Sequence, residues 1–217
     1  FSLRALSLEE LRKQQKRKDI LIEDMRLIQK KCRACKIVGA SVESQRTVSY
    51  RGLSVKNALI RGVTHQDHLI GAVTELERGR HLLQEDEFRS RAVCVIGSDI
   101  AEKLFPYRDP LGKFIRIGPQ RLLVIGIGEK KGKILGFSQD NYIRIPITTF
   151  HKYLGSIRSI NINIHTASQE QMKQAQDEIR TVLRAKRHLG YNEEDDFSFQ
   201  NSETFINIYK TATTGIY

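Results

Sequence analysis

Residues 92–146 constrain this chain more than any other stretch. Ala92-Val-Cys-Val-Ile96 is a short continuous apolar run. Phe114-Ile-Arg-Ile117, Leu122-Leu-Val-Ile-Gly-Ile-Gly128 and Tyr142-Ile-Arg-Ile-Pro146 follow it at short intervals. Runs of this length, rich in Val and Ile and bounded by Gly or Pro, read as strands. Gly97 breaks the first run, and Ser98 is placed to cap a short helix through its hydroxyl. Asp109-Pro-Leu-Gly112 has turn chemistry, because Pro fixes φ at one position and Gly admits a positive φ at another. Gly118-Pro119 reads as a hairpin connection. The region is therefore mainly β, with two short helices.

The flanks have a different grammar. Ile37–Tyr50 and Val55–Val63 read as the arms of a long antiparallel hairpin, broken at Arg51-Gly52. A helix is expected from about Glu23 to Cys32, with Met25, Ile28 and Cys32 on one face and a weak start at Ile22. Near the other end, Ile160-Asn-Ile-Asn-Ile164 alternates strictly, as a half-buried strand does. Ser168-Gln-Glu-Gln171 is a capping box opening a helix with Met172, Ala175, Ile179, Val182 and Leu183 at core spacing, ended by Gly190. Asp195–Phe199 reads as a last short strand, and Ser202 as the cap of a last helix. Phe1–Leu6 reads as the end of a strand. The fold class is α+β: both chain ends build an antiparallel sheet with helices on one face, interrupted by a mainly β insertion. The expected division is 1–80 plus 157–217 for the base and 81–156 for the insertion, with few contacts between the two.

Composition narrows function mostly by exclusion. The 217 residues carry a net charge of +11, which raises nucleic acid, anionic lipid or an acidic partner as ligands. Much of the excess lies in Arg12-Lys13-Gln14-Gln15-Lys16-Arg17-Lys18. No aromatic residues interleave with that run, as single-strand binding would require, so it reads as a solvated surface and nucleic acid is not expected. The longest apolar run is about seven residues, against the ~20 that span a bilayer.

No motif reads as catalytic, and no metal or cofactor is expected. Gly126-Ile-Gly128 with Gly132 lacks the helix that a dinucleotide fingerprint needs, and reads as a strand end. His65 and His68 sit one helical turn apart without further ligands, and read as surface. Glu193-Glu-Asp-Asp196 reads as a solvated loop before a strand. Cys94 lies inside an apolar run and reads as a small buried hydrophobe. Cys32-Arg-Ala-Cys35 lies at a helix end, where the dipole does not favour a reactive thiolate. The pair is either a structural disulfide or two ordinary thiols.

The ordered string from Val93-Cys-Val-Ile-Gly97 through Leu104-Phe105, Asp109-Pro110, Gly112-Lys113 and Val124-Ile-Gly126 to Ile145-Pro146 resembles the extracytoplasmic core domain of MacB-like ABC permeases. FtsX-like and lipoprotein-releasing permeases belong to the same family. Glu77-Arg-Gly-Arg80 is similar to the turn that precedes this string in the family. The resemblance implies a Porter-like base carrying a Sabre-like insertion, placed on the periplasmic side of a bacterial inner membrane. It also implies a membrane segment beyond each chain end, and hence ends that point toward one membrane surface. The expected partners are a second permease copy met through the membrane segments and an ATP-binding subunit or domain. In the exporter branch a periplasmic adaptor and an outer-membrane channel join them. On this reading the chain is not an enzyme but relays ATP-driven motion to partners or cargo. The oxidising compartment also favours a Cys32–Cys35 bridge. The alternative is a free-standing basic module that binds nucleic acid or anionic lipid.

Overall fold

Tyr50 and Leu53 are joined by a two-residue turn in which Arg51 (φ 44°) and Gly52 (φ 86°) both take positive φ. A tight hairpin turn needs that backbone to match the twist of its strands. The computed structural model describes residues 17–70, 75–134, 136–155 and 159–200. The expected strand at Phe1–Leu6 and the helix after Ser202 lie outside these residues.

The hairpin arms are β1 (Ile37–Tyr50) and β2 (Leu53–Val63). β3 (Leu76–Gly79), β4 (Val93–Ile96), β5 (Phe114–Ile117), β6 (Gln120–Gly128) and β9 (Tyr142–Pro146) follow, with β10 (Asn161–His165) last. A separate two-stranded ribbon, β7 (Lys133–Ile134) and β8 (Phe137–Ser138), lies between β6 and β9. The helices are α1 (Ile22–Lys31), α2 (Gln84–Phe88), α3 (Ser98–Leu104), α4 (Ile147–Leu154) and α5 (Gln169–Arg187). One eight-stranded sheet runs β10-β1-β2-β9-β4-β6-β3. β5 bridges β1 and β6, so β1-β2-β9-β4-β6-β5 closes into a ring of strands.

The α+β class holds, with refinements. Two ladders are parallel, Leu59–Val63 with Tyr142–Pro146 and Val93–Ile96 with Leu123–Ile127. Separate sheets for Val93–Ile96 and Ile160–Ile164 are not found. β4 is central, flanked by β9 and β6, and the same ladder network reaches β10 through β2 and β1. All four β4 residues are buried, which is why that run is continuously apolar rather than alternating. Nor is the packing sparse between the chain-end segments and 81–156. Val48, Val55 and Ile60 share one apolar cluster with Ile115, Ile117 and Ile143, and that cluster continues to Ile28 and Ile179 under α1 and α5.

Other local expectations need correction. Gly97, not Ser98, caps α3, and the Ser98 hydroxyl has no hydrogen-bond partner. Gly97 is required for another reason: a Cβ there would strike the Asp140 carbonyl oxygen. α5 ends at Arg187, with His188 in the left-handed conformation (φ 54°) doing the work assigned to Gly190. Glu77–Arg80 is not a turn; Leu76–Gly79 is an edge strand on β6. Residues 195–199 form no strand; their hydrogen bonds go to α5 side chains instead.

Candidate functional site

The first and last described segments converge on the C-terminal half of α5. Ala175, Ile179 and Leu183 occupy its buried stripe, and the next position at the same spacing of four is Arg187, also buried. A guanidinium there needs partners, since an unpaired buried charge is very costly. Arg187 donates to Asp196 Oδ1 (2.6 Å) and to the Asp19 carbonyl (3.1 Å), and lies 3.8 Å from Asp24 Oδ2. Its guanidinium also sits over the Phe197 ring. One side chain thus ties the segment before α1 to the segment after α5. Backbone pairing reinforces the join: Ile160 N–H donates to the Ile20 carbonyl, and Ile20 N–H to Ser159 Oγ. A cavity of about 910 Å³ opens beside this seam, lined by Asp19 and Ile20 on one side, Phe197 and Phe199 on the other, and Ile160 and Ile162 between.

Within the acidic run, Glu193 and Glu194 are exposed as a solvated loop would have them, whereas Asp195 and Asp196 are half-buried and form the other half of the seam. Asp195 accepts from Arg184 (2.7 Å) and Arg180 (2.9 Å). Burial alone would raise the Asp195 carboxyl, but these two arginines outweigh it and hold it below the usual range. Glu193 Oε2 accepts from Gly190 N–H, closing the turn after α5. Of the basic run 12–18, Arg17 and Lys18 are described, and both are exposed.

Cys32 and Cys35 are joined by a disulfide, with Cα atoms 5.4 Å apart. The loop they close is gripped by Glu178 of α5, whose Oε2 accepts from Arg33 N–H (2.6 Å) and Ala34 N–H (3.1 Å). Those backbone bonds come first in holding the Glu178 carboxyl below its ordinary pKa. Cys94 is fully buried, and burial pushes its thiol well up, which makes it inert.

A second polar cluster gathers around the 3₁₀ turn that follows β2. His65 and His68 stand on a 3₁₀ turn (His65–Leu69) and are half-buried, not surface residues. His65 Nδ1 meets Glu87 Oε2 at 2.8 Å, and the His68 ring stacks on His81 at 4.5 Å. Burial, then the charges of His68 and Arg144, lower the His81 pKa, against a smaller opposing effect of Asp67. No group of three or more His, Cys, Asp or Glu among the described residues is placed to hold a metal. The glycines at 126, 128 and 132 do not form a phosphate cradle either. Lys131 and Gly132 N–H both donate to the chain's own buried Asp140 carboxylate.

Sequence reasoning missed Asp24, Asp86 and Arg187. The signal was present: Arg187 continues the apolar stripe of α5, and Leu21-x-x-Asp24 and Leu83-x-x-Asp86 each put an acid at the third helical position, where it can cap.

The family model of the MacB-like periplasmic core domain matches residues 6–182. The chain belongs to this family, the extracytoplasmic domains of MacB-like ABC transporter permeases. A macrolide export ATP-binding/permease protein MacB from Rhodopirellula baltica is 29% identical over 176 residues, covering 80% of this chain and 26% of that protein. A pyoverdine export ATP-binding/permease protein PvdT from Pseudomonas syringae pv. tomato is 33% identical over 131 residues, 59% of this chain and 19% of that protein. The chain thus spans about a quarter of the curated relatives it matches. Among solved structures, the periplasmic region of MacB from Actinobacillus actinomycetemcomitans superposes with a TM-score of 0.71 at 20% identity, covering 89% of this chain and 84% of that one. The extracellular domain of the transporter YknZ from Gram-positive bacteria gives 0.66 at 22% identity, covering 76% and 83%. No helix among the described residues is long and apolar enough to cross a membrane.

Proposed function

We propose that this domain relays ATP-driven motion of an inner-membrane permease to periplasmic partners or cargo, and performs no chemistry itself. The observation that carries the reading is the Arg187 seam. Force arriving at either chain end meets the same buried ion pairs before it reaches the sheet. Residues 1–80 with 157–217 then act as the driven base, and 81–156 as the working end. The continuous core between them favours transmission as a stiff body rather than hinging. ATP hydrolysis belongs to a separate cytoplasmic domain or subunit, and the permease works as a dimer through its membrane segments. An adaptor and an outer-membrane channel complete the path where the cargo is exported.

The test is Asp196→Asn in the full-length parent transporter, which removes the charge pair while keeping the side-chain shape. ATP hydrolysis should persist while transport falls. Unchanged transport in a correctly inserted variant overturns the coupling role of the seam, as does a parallel loss of hydrolysis.

A further inference from the structure

Across the sheet, Ser54, Ser49, Arg116 and Arg121 fall in one register row, paired Ser49↔Ser54, Ser49↔Arg116 and Arg116↔Arg121. Residues opposite each other in a ladder project from the same face. On β5 and β6 that face points outward: Arg116 and Arg121 are exposed, whereas Ile115, Ile117 and Leu122 are buried. Lys56 lies two residues beyond Ser54 and is also exposed.

Two arginines directly opposite one another destabilise a ladder unless something neutralises them. Several arginines elsewhere are neutralised internally, among them Arg61 by Glu43, Arg78 by Asp109 and Arg144 by Asp67. Arg116, Arg121 and Lys56 have no ion-pair partner among the described residues, although Arg121 contacts an aromatic ring. The Arg121 guanidinium carbon lies over Phe114, 4.7 Å from the ring centroid, and Phe114 is itself 44% exposed. With no carboxylate of the described residues paired to it, that guanidinium is available for bidentate bonding to a partner's carboxylate.

We propose that this face docks a protein partner through carboxylates set against Arg116 and Arg121, with Phe114 as the apolar contact beside them. Arginine beside an exposed aromatic ring is the make-up of a protein-interface centre. The strand spacing of about 4.8 Å sets the fit: the matching carboxylates must lie about 5–6 Å apart, as on neighbouring strands or at i, i+4 of a helix. The inference deepens the partner element of the proposed function, and rests on that reading only in taking the partner to be a protein.

The experiment titrates the chain with labelled poly-L-glutamate at low and physiological salt. It compares the wild type with Arg121→Glu and with Lys30→Glu, an equal change of charge on exposed α1. Arg121→Glu should weaken binding about tenfold or more, and Lys30→Glu less than about threefold. Arg121→Glu should also raise the thermal midpoint, because Arg116 then faces an opposite charge, so lost binding cannot be ascribed to misfolding. Equal losses from the two variants overturn the proposal, leaving only net charge. Absence of poly-glutamate binding at low salt overturns it too. Tighter binding to phosphatidylglycerol vesicles, lost in Arg121→Glu, would replace the protein partner by a lipid surface. The titration uses the isolated chain, so its failure leaves the Asp196→Asn result untouched.

Discussion

Asp24 and Asp86 are the same local device built into two regions. Each is the third residue of a helix, each accepts the N–H of the leucine before it, Leu21 at 2.7 Å and Leu83 at 3.0 Å, and each is buried. They differ in where their cations come from. Asp86 is paired by Arg80 and Arg91, six and five residues away along the chain. Asp24 is paired by Lys186 and Arg187, more than 160 residues away. The first arrangement fastens a loop to itself. The second fastens one end of the chain to the other, so the same half-capping box serves local order in one place and global closure in the other.

The largest expected effect lies at the long-range end. Arg187→Ala leaves Asp24 and Asp196 short of a partner in a buried setting, and should cost about 3–5 kcal/mol in urea unfolding. Amide exchange should rise together around residues 19–21 and 196–199. A loss of protection confined to one of those segments would break the claim that Arg187 joins them.

At the short-range end, Asp86→Asn keeps the shape but removes the charge. It should cost about 2–3 kcal/mol, less than Arg187→Ala, because Arg80 and Arg91 can turn to solvent. Burial pushes the Asp86 carboxyl up, but hydrogen bonds from Arg80 and the Leu83 N–H, with the charges of Arg80 and Arg91, bring it below the ordinary value. A depressed carboxylate contributes stability that is present above the unfolded pKa of about 3.9 and is lost as pH falls through the folded one. The gap between wild type and Asp86→Asn should therefore be constant near neutrality and close below about pH 4. A gap that persists at lower pH would assign the cost to packing rather than charge.

The disulfide sharpens the base side of the comparison. In the chain-entropy model a bridge closing a four-residue loop is worth about 2 kcal/mol at most, and the Glu178 carboxylate also holds the same loop through Arg33 and Ala34 N–H. Reduction should thus destabilise the fold by about 2 kcal/mol or less. The unreduced protein should show no reactive thiol when native, because Cys94 is buried, and one when denatured. Three in the denatured state would show that Cys32 and Cys35 are ordinary thiols.

Much of this was legible in the sequence because it is local. Arg51-Gly52 announces the β1–β2 hairpin, Ser168 receives Gln171 N–H as the α5 cap, and Asp109 Oδ1 accepts Leu111 N–H in the expected turn. The ring of strands was not legible. Alternation says which side chains face inward, but not that β9 pairs with β2 on one side and β4 on the other. The Arg187 seam lay between these cases. Its spacing on α5 marks a buried cation, yet nothing local says that its partners are Asp19, Asp24 and Asp196. Asp195 and Asp196 looked as solvated as their exposed neighbours Glu193 and Glu194 for the same reason.

The smallest expected effect returns to the region of Asp86 and concerns His81. Its ring lies against His68, with Arg144 of β9 and Asp67 of the 3₁₀ turn as the charges near it. Burial and the two positive neighbours make its protonation harder in the folded state than in the unfolded chain. A histidine with a lowered pKa stabilises the fold while neutral; below its unfolded pKa of about 6.5 the unfolded state binds the extra proton, and stability falls with pH. For a partly exposed ring the loss should stay under about 1 kcal/mol. His81→Gln keeps polarity and removes the titration, so the wild-type stability should fall relative to the variant as pH drops from 7 to about 5. Asp86 remains ionised across that interval, which separates this effect from the carboxylate one. If wild type and variant run parallel from pH 7 to 5, the stack is packing alone, and the pH response of this region begins only with Asp86.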